Sequence, residues 1–295
     1  MTQTVGGQSE VGKLRRVAVK HAGDAFASDA VLERHWRELG YIGRPDFATA
    51  VAEYDGFLAL LERSGAEITR LPPDPATGPD SLYVRDASIV CDRGLILCNM
   101  GKRQRRSEPA AQEAALRAAG VPVHGRITAG GTVEGGDVCW IDQRTLAVGR
   151  GYRTNEEGIR QLRLLVRDCV EEVIVVPLPH WHGPEDVFHL MSMVSPVDRD
   201  LWLVYAPLLP VPFREALVAR GIELIDVPGA ELETLGCNVL AVAPREVLML
   251  AGNPETRARL EHAGVVVHEF AGAEIGVKGG GGPTCLTRPL ARDPT

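Results

Sequence analysis

Residues 47–270 repeat one pattern, in which a helical stretch ends in glycine and is followed at once by a short β-branched run. FATAVAEYDGFLALLERSGAEITRL (47–71), PAAQEAALRAAGVPVHGR (109–126), PFREALVARGIELIDVP (212–228) and PETRARLEHAGVVVHEF (254–270) are four copies, and 155–178 is a fifth without the glycine. Glycine after a last helical turn predicts a left-handed cap, and the Val/Ile run after it predicts a buried strand. Pro109, Pro212 and Pro254 stand where the first turn of a helix tolerates proline. Most cassettes follow a pair of apolar runs around a polar turn, at 87–98, 137–149, 191–205 and 238–250. LRRVAVKH (14–21) and the C-terminal stretch would supply the remaining unit. Such units cannot bury their apolar faces alone. The expectation is an α/β fold: a five-fold pseudo-symmetric propeller of strand–turn–strand–helix–strand modules, forming one domain over residues 1–295. A doubly wound sheet would need a glycine-rich turn between strand and helix, whereas Gly130-Gly131 and Gly135-Gly136 precede a strand.

The polar residues keep the same period. Asp86, Asp137, His189 and Asn238 each stand at or just before the first strand of a hairpin, separated by 51, 52 and 49 residues, and Cys285 follows after 47. Closure of the ring would bring these equivalent positions together at one end of the axis. The result would be a pocket holding carboxylates, an imidazole and a thiol. A thiolate needs a neighbouring imidazolium or bound cation, histidine can pass a proton to a leaving group, and a carboxylate can orient the imidazole. Further carboxylates would hold a planar cation through paired N–H···O bonds. A guanidinium meets all of these requirements.

Composition narrows the alternatives. The formal charge of −7 and the lack of a long basic arm argue against nucleic acid, the one basic cluster being the short 102–106 stretch. MTQTVGGQSEVGKLRR contains no apolar segment of signal-peptide length, and no apolar run approaches a membrane span. The six cysteines form no CxxC pair, so reduced thiols in the cytoplasm are expected.

LYVRDASIV (82–90), VEGGDV (133–138), FHL (188–190), LGCNVL (235–240) and GGGGPTCLTRPL (279–290) resemble, in order, the motifs of the guanidino-group modifying enzymes. These are the dimethylarginine dimethylaminohydrolases, arginine deiminases and amidinotransferases, built on the pentein propeller. The resemblance implies a catalytic triad of Cys285, His189 and Glu134. It also implies that Asp86 holds the guanidinium, that Asp80 touches substrate, and that Arg105 and Arg153 hold the substrate carboxylate or its neighbourhood. Asp137 is grouped with the substrate-binding residues. The implied reaction passes through a covalent thiouronium on the cysteine to a ureido product. Arginine deiminases carry an acid two residues after the histidine; Met191 at that position resembles the dimethylarginine enzymes and offers an apolar wall to N-methyl groups. Arg85 before Asp86 is instead deiminase-like. Dimethylarginine hydrolysis is therefore the leading expectation, with arginine deiminase or amidinotransferase as alternatives and a non-catalytic binding module behind them.

No cofactor is expected, and the implied partner is a small guanidino compound; a homo-oligomer is left open. Asn238 reads as a structural hydrogen-bonding residue, and residues 24–46 as a lid segment. His180 and His182 could pair on a zinc ion, but Pro179, Gly183 and Pro184 place them in a loop, so no metal is expected.

Overall fold

The computed structural model describes residues 5–186 and 188–295; the first four residues of the expected domain lie outside the described ones. In chain order, strand β1 (Leu14–Val19) is followed by helices α1 (Ala22–Phe26), α2 (Asp29–Leu39) and α3 (Phe47–Arg63) and by β2 (Glu67–Arg70). Four modules then repeat strand, strand, helix, strand. They are β3 (Ser88–Cys91), β4 (Gly94–Leu97), α4 (Glu108–Ala118) and β5 (Val123–Arg126); β6 (Val138–Asp142), β7 (Thr145–Arg150), α5 (Glu156–Val166) and β8 (Glu172–Pro177); β9 (Val194–Asp198), β10 (Leu201–Val204), α6 (Val211–Ala219) and β11 (Glu223–Asp226); and β12 (Leu240–Ala243), β13 (Glu246–Leu250), α7 (Pro254–His262) and β14 (Val266–Phe270). The last strand, β15 (Arg288–Arg292), completes the first module by pairing antiparallel with β1.

Each module is a three-stranded sheet, antiparallel in its first pair and parallel in its second, where the helix makes the crossover. Gly65, Gly120, Gly221 and Gly264 end their helices with φ of +82°, +79°, +76° and +79°, as the glycine pattern predicts. The third strand is the least buried of every sheet. The first strands β3 and β15 are buried throughout, while the third strands β2 and β5 contain no fully buried residue. The first strands therefore stand innermost and the third outermost.

Strand alternation closes the ring. On β6 and β7, Trp140, Leu146 and Val148 pack with Ile89 and Ile96 of the module before, whereas Cys139, Ile141 and Ala147 pack with Val194 and Trp202 of the module after. On β10, Trp202 and Val204 face back and Leu201 and Leu203 face forward, toward Val239 and Val247. Leu240 and Leu248 then meet Leu14 and Val17, and Ala18 and Leu290 meet Val90 and Leu95. Each sheet thus buries both faces against its neighbours, which five modules achieve only by closing into a ring. The predicted propeller is the observed fold.

Candidate active site

All five periodic residues sit at the same place in their modules, in the turn entering an innermost strand. Asp86 precedes β3, Glu134 and Asp137 bracket the turn into β6, His189 precedes β9, Asn238 precedes β12 and Cys285 precedes β15. The ring brings four of these turns around His189. Its Nε2 lies 2.8 Å from Glu134 Oε2, and its Nδ1 lies 3.8 Å from Asp86 Oδ1. With Nε2 held by Glu134, Nδ1 is the nitrogen left to exchange a proton. The backbone N–H of His189 donates to Ser192 Oγ, which fixes the turn.

The glycines between Glu134 and Asp137 are there for space. A Cβ on Gly136 would lie 2.5 Å from His189 Nδ1 and 2.8 Å from Asp86 Oδ1, and one on Gly135 would lie 2.1 Å from the Arg85 carbonyl oxygen. Gly281 and Gly282 similarly admit Tyr83 and Asn238, where a Cβ would approach within 2.5 and 2.6 Å. The run 279–282 is therefore a close approach of backbone to side chains beside Cys285.

Both carboxylate oxygens of Glu134 and of Asp86 are engaged. Glu134 accepts from Lys102 N at 2.9 Å as well as from His189, with Arg153 Nη1 at 3.5 Å. Asp86 accepts from Gly136 N at 2.9 Å and from Arg105 Nη1 at 2.5 Å. Asp137 is wholly buried, accepts from Leu190 N at 3.0 Å, and lines neither of the chambers described below. Burial opposes ionisation of Glu134 and Asp86, but His189 and the arginines outweigh it and hold both below the usual carboxylate range. For Asp137 burial outweighs the opposing charge of His189 and pushes it up to about 6. For His189, burial opposes the charge, yet Asp86, Asp137 and Glu134 raise it to about 9. At neutral pH the site holds an imidazolium between carboxylates.

Cys285 differs. Burial, followed by the charge of Asp86, pushes its thiol up to about 11, against the hydrogen bond from Asn238 and the more distant Arg85 and Arg105. Asn238 donates from Nδ2 to Cys285 Sγ at 3.4 Å and accepts the Thr284 N–H at 3.1 Å. The residue expected to be structural therefore touches the thiol. At neutral pH a further positive charge, such as a bound cation would bring, favours the thiolate.

Cys285 and His189 border two chambers. One, of about 20 Å³, is also lined by Asp80, Asp86, Lys102, Arg105 and Arg153. Lys102 Nζ donates to Asp80 Oδ2 and to the Leu39 carbonyl oxygen, each at 2.7 Å. Arg105 gives four N–H groups to Asp86, Glu108 and the Tyr83 carbonyl, whereas among the described residues Arg153 is bonded to Glu134 and the Asp186 carbonyl. Of the two arginines, Arg153 keeps more donor capacity. The other chamber, of about 190 Å³, has an apolar wall that includes Leu39, Phe188, Met191 and Leu235. Ile42 stands on its rim, so the segment expected as a lid, largely helical in α2, reaches the site through its 39–42 turn.

Asp86, Glu134 and His189 place ligand atoms within 4.8 Å of one another, which one cation could span. Their partners already include Arg105, Arg153 and the Lys102 and Gly136 N–H groups, a donor set suited to anions and not to a metal. His180 instead meets the Tyr152 hydroxyl at 2.6 Å, and the His182 ring packs at a tilt against Trp181.

The family model described as N,N dimethylarginine dimethylhydrolase, eukaryotic, matches residues 43–292. The chain belongs to that family. It is 33% identical to the N(G),N(G)-dimethylarginine dimethylaminohydrolase of Streptomyces coelicolor, over 82% of this chain and 86% of that one. It is 31% identical to the arginine deiminase of Mycobacterium marinum, over 73% of this chain but only 61% of that protein. Among solved structures, the Pseudomonas aeruginosa dimethylarginine dimethylaminohydrolase bound to citrulline superposes with a TM-score of 0.71 at 25% identity, covering 93% of this chain and 98% of that one. An amidinotransferase of the saxitoxin biosynthetic pathway of Microseira wollei superposes at 0.81 over 99% and 98%; at 18% identity it shares the fold.

Proposed function

We propose that this protein hydrolyses the guanidino group of N-methylated arginine, giving citrulline and an alkylamine, with Cys285 as nucleophile. The observation that carries the reading is the arrangement around His189: Nε2 fixed on Glu134, Nδ1 turned toward Asp86, and the thiol bordering the same two chambers. Asp86 takes the guanidinium, whose charge favours the Cys285 thiolate. Sγ adds to the central carbon, His189 Nδ1–H protonates the departing amine, and the C–N bond breaks to leave a thiouronium on sulfur. Water then loses a proton to Nδ1 and adds to the same carbon. Expulsion of sulfur releases the ureido product and restores the thiol.

Asp80, Lys102, Arg105 and Arg153 give the small chamber both signs of charge, which suits the ammonium and carboxylate of an amino acid, with Arg153 as the carboxylate's main partner. Asp137 acts from below by holding the Leu190 N–H and so the His189 turn. Met191, 4% exposed on the apolar wall, supports a methylated leaving group. Arginine deiminase is the second reading, favoured by Arg85 before Asp86. Residues 1–295 form one functional unit, because β1 and β15 share a sheet and leave no cut that yields two complete halves. The six unpaired thiols support a reducing, cytoplasmic setting, and among the described residues no helix is long and apolar enough to cross a membrane.

The test is incubation with arginine, monomethylarginine, dimethylarginine and agmatine, followed by assay of ureido product. Dimethylarginine should give citrulline and dimethylamine. Product from arginine but not from dimethylarginine would replace this reading with the deiminase.

A further inference from the structure

Behind the site, on the opposite side of Arg85, four charged side chains meet in a chamber of about 20 Å³: Glu10, Arg85, Arg288 and Arg292. All are at least nine-tenths buried. Arg85 Nη2 donates to Glu10 Oε1 at 2.7 Å, Arg288 Nη2 to the Arg85 carbonyl at 2.9 Å, and Arg292 Nη1 to the Gly12 carbonyl at 2.7 Å. Three guanidinium groups thus face one carboxylate, a formal excess of two positive charges. Five buried nitrogens have no acceptor among the described residues: Arg85 Nε and Nη1, Arg288 Nε, and Arg292 Nε and Nη2. Buried charges of one sign are held only when compensated, and an orphaned donor costs its full desolvation. Burial, reinforced by Arg85, also lowers Arg288 to about 9 against the opposing charge of Glu10.

Neighbouring polar groups do not supply the missing acceptors. The Ser9 hydroxyl is engaged by Thr295 Oγ1 and by the Val11 and Gly12 N–H groups, and the Gln8 side chain by Gln143, Cys169 and Asp92. Size sets the rest. A chamber this small holds one or two atoms the size of water.

We propose that this axial chamber is a binding site for a monatomic anion of halide size, held by Arg85, Arg288 and Arg292. Glu10, delivered by the N-terminal segment, occupies one side of the cluster and competes with the anion. The site is separate from the one that takes the guanidino compound, and Arg85 is the wall between them.

Unfolding of the full chain, followed at constant ionic strength as sodium gluconate is replaced by sodium chloride, tests this. The melting temperature should rise saturably by about 2–4 °C. Arg292→Met should flatten the rise, while Glu10→Gln should lower the chloride concentration at its midpoint about tenfold. Opposite signs from the two variants would not follow from a purely structural role. If Arg292→Met does not fold, crystals of the unaltered protein grown in bromide decide the matter, with an anomalous peak expected among the three arginines. No saturable chloride dependence together with no bromide peak would overturn the proposal and leave water in the chamber. A rise with phosphate but not with chloride would overturn the monatomic assignment.

Discussion

The two chambers that meet at Cys285 and His189 are built in opposite ways. The small one is lined by fixed ion pairs, Lys102 with Asp80 and Arg105 with Asp86, whose geometry is set before anything binds. The large one sets an apolar wall of Leu39, Phe188, Met191 and Leu235 beside charged residues such as Glu185, Glu233 and Lys278. Preorganised charges give orientation and specificity for a zwitterion, since moving or mispairing them is costly. An apolar wall discriminates only weakly between amines of similar size. The family's divergence over leaving groups is therefore expected on the apolar side, while the amino-acid side stays the same.

The proposed nucleophile, which borders both chambers, comes first. Cys285→Ser should lower ureido-product formation about a thousandfold or more while leaving the melting temperature near that of the unaltered protein, because Asn238 can donate to a hydroxyl as it does to the thiol. Loss of both activity and fold would break the separation drawn here. On the polar side, Asp86→Asn keeps the shape but removes the charge that pairs with Arg105 and that the proposed reaction sets against the guanidinium. A charge-assisted hydrogen bond of about 1.5–3 kcal/mol predicts a fall of roughly ten- to a hundredfold in kcat/KM, read from initial rates. On the apolar side, Met191→Glu should shift the ratio of kcat/KM for arginine over dimethylarginine about tenfold toward arginine. An unchanged ratio would mean that the leaving amine does not face this wall.

The pH dependence separates the thiol from its partners. In the free protein, alkylation of Cys285 by iodoacetamide should keep accelerating up to about pH 11, where burial and Asp86 place the thiol. Bound substrate adds positive charge, so turnover should reach its plateau at lower pH and fall above about 9, as His189 loses its proton. The smallest effect is on stability. Because the folded protein raises His189 from 6.5 to about 9, that contribution is complete below pH 6.5 and is lost as pH climbs through 9. Glu134 is shifted down, so its contribution is present above about 4.5 and is lost as pH falls through its lowered value. Thermal melts from pH 6 to 10 should decline less steeply for Glu134→Gln than for the unaltered protein.

Much of this was legible before any coordinates. The glycine caps and the spacing of the hairpins predict the modules, because both depend on local backbone geometry that recurs in each copy. Asp86, His189 and Cys285 stand out for the same reason, since equivalent turns carry them to the same end of the ring. Most of what escaped detection breaks the period. Lys102 approaches Glu134 through its backbone N–H, which no side-chain pattern reveals. Glu10 reaches Arg85 from 75 residues away, through a segment outside every repeat. Asn238 was in register but looked inert, because an amide has little chemistry until a thiol is placed against it. Asp137 has the opposite history: its period is right, yet the turn aims it beneath the site.

The pairing of β1 with β15 also bears on how the protein is made. β1 leaves the ribosome about 270 residues ahead of the strand that completes its sheet, and it must wait with one edge unpaired. The turn bearing Cys285 is set only when that strand arrives. A nascent or prematurely terminated chain would therefore carry the histidine and both acids without a positioned thiol, so chemistry begins only once the ring is sealed.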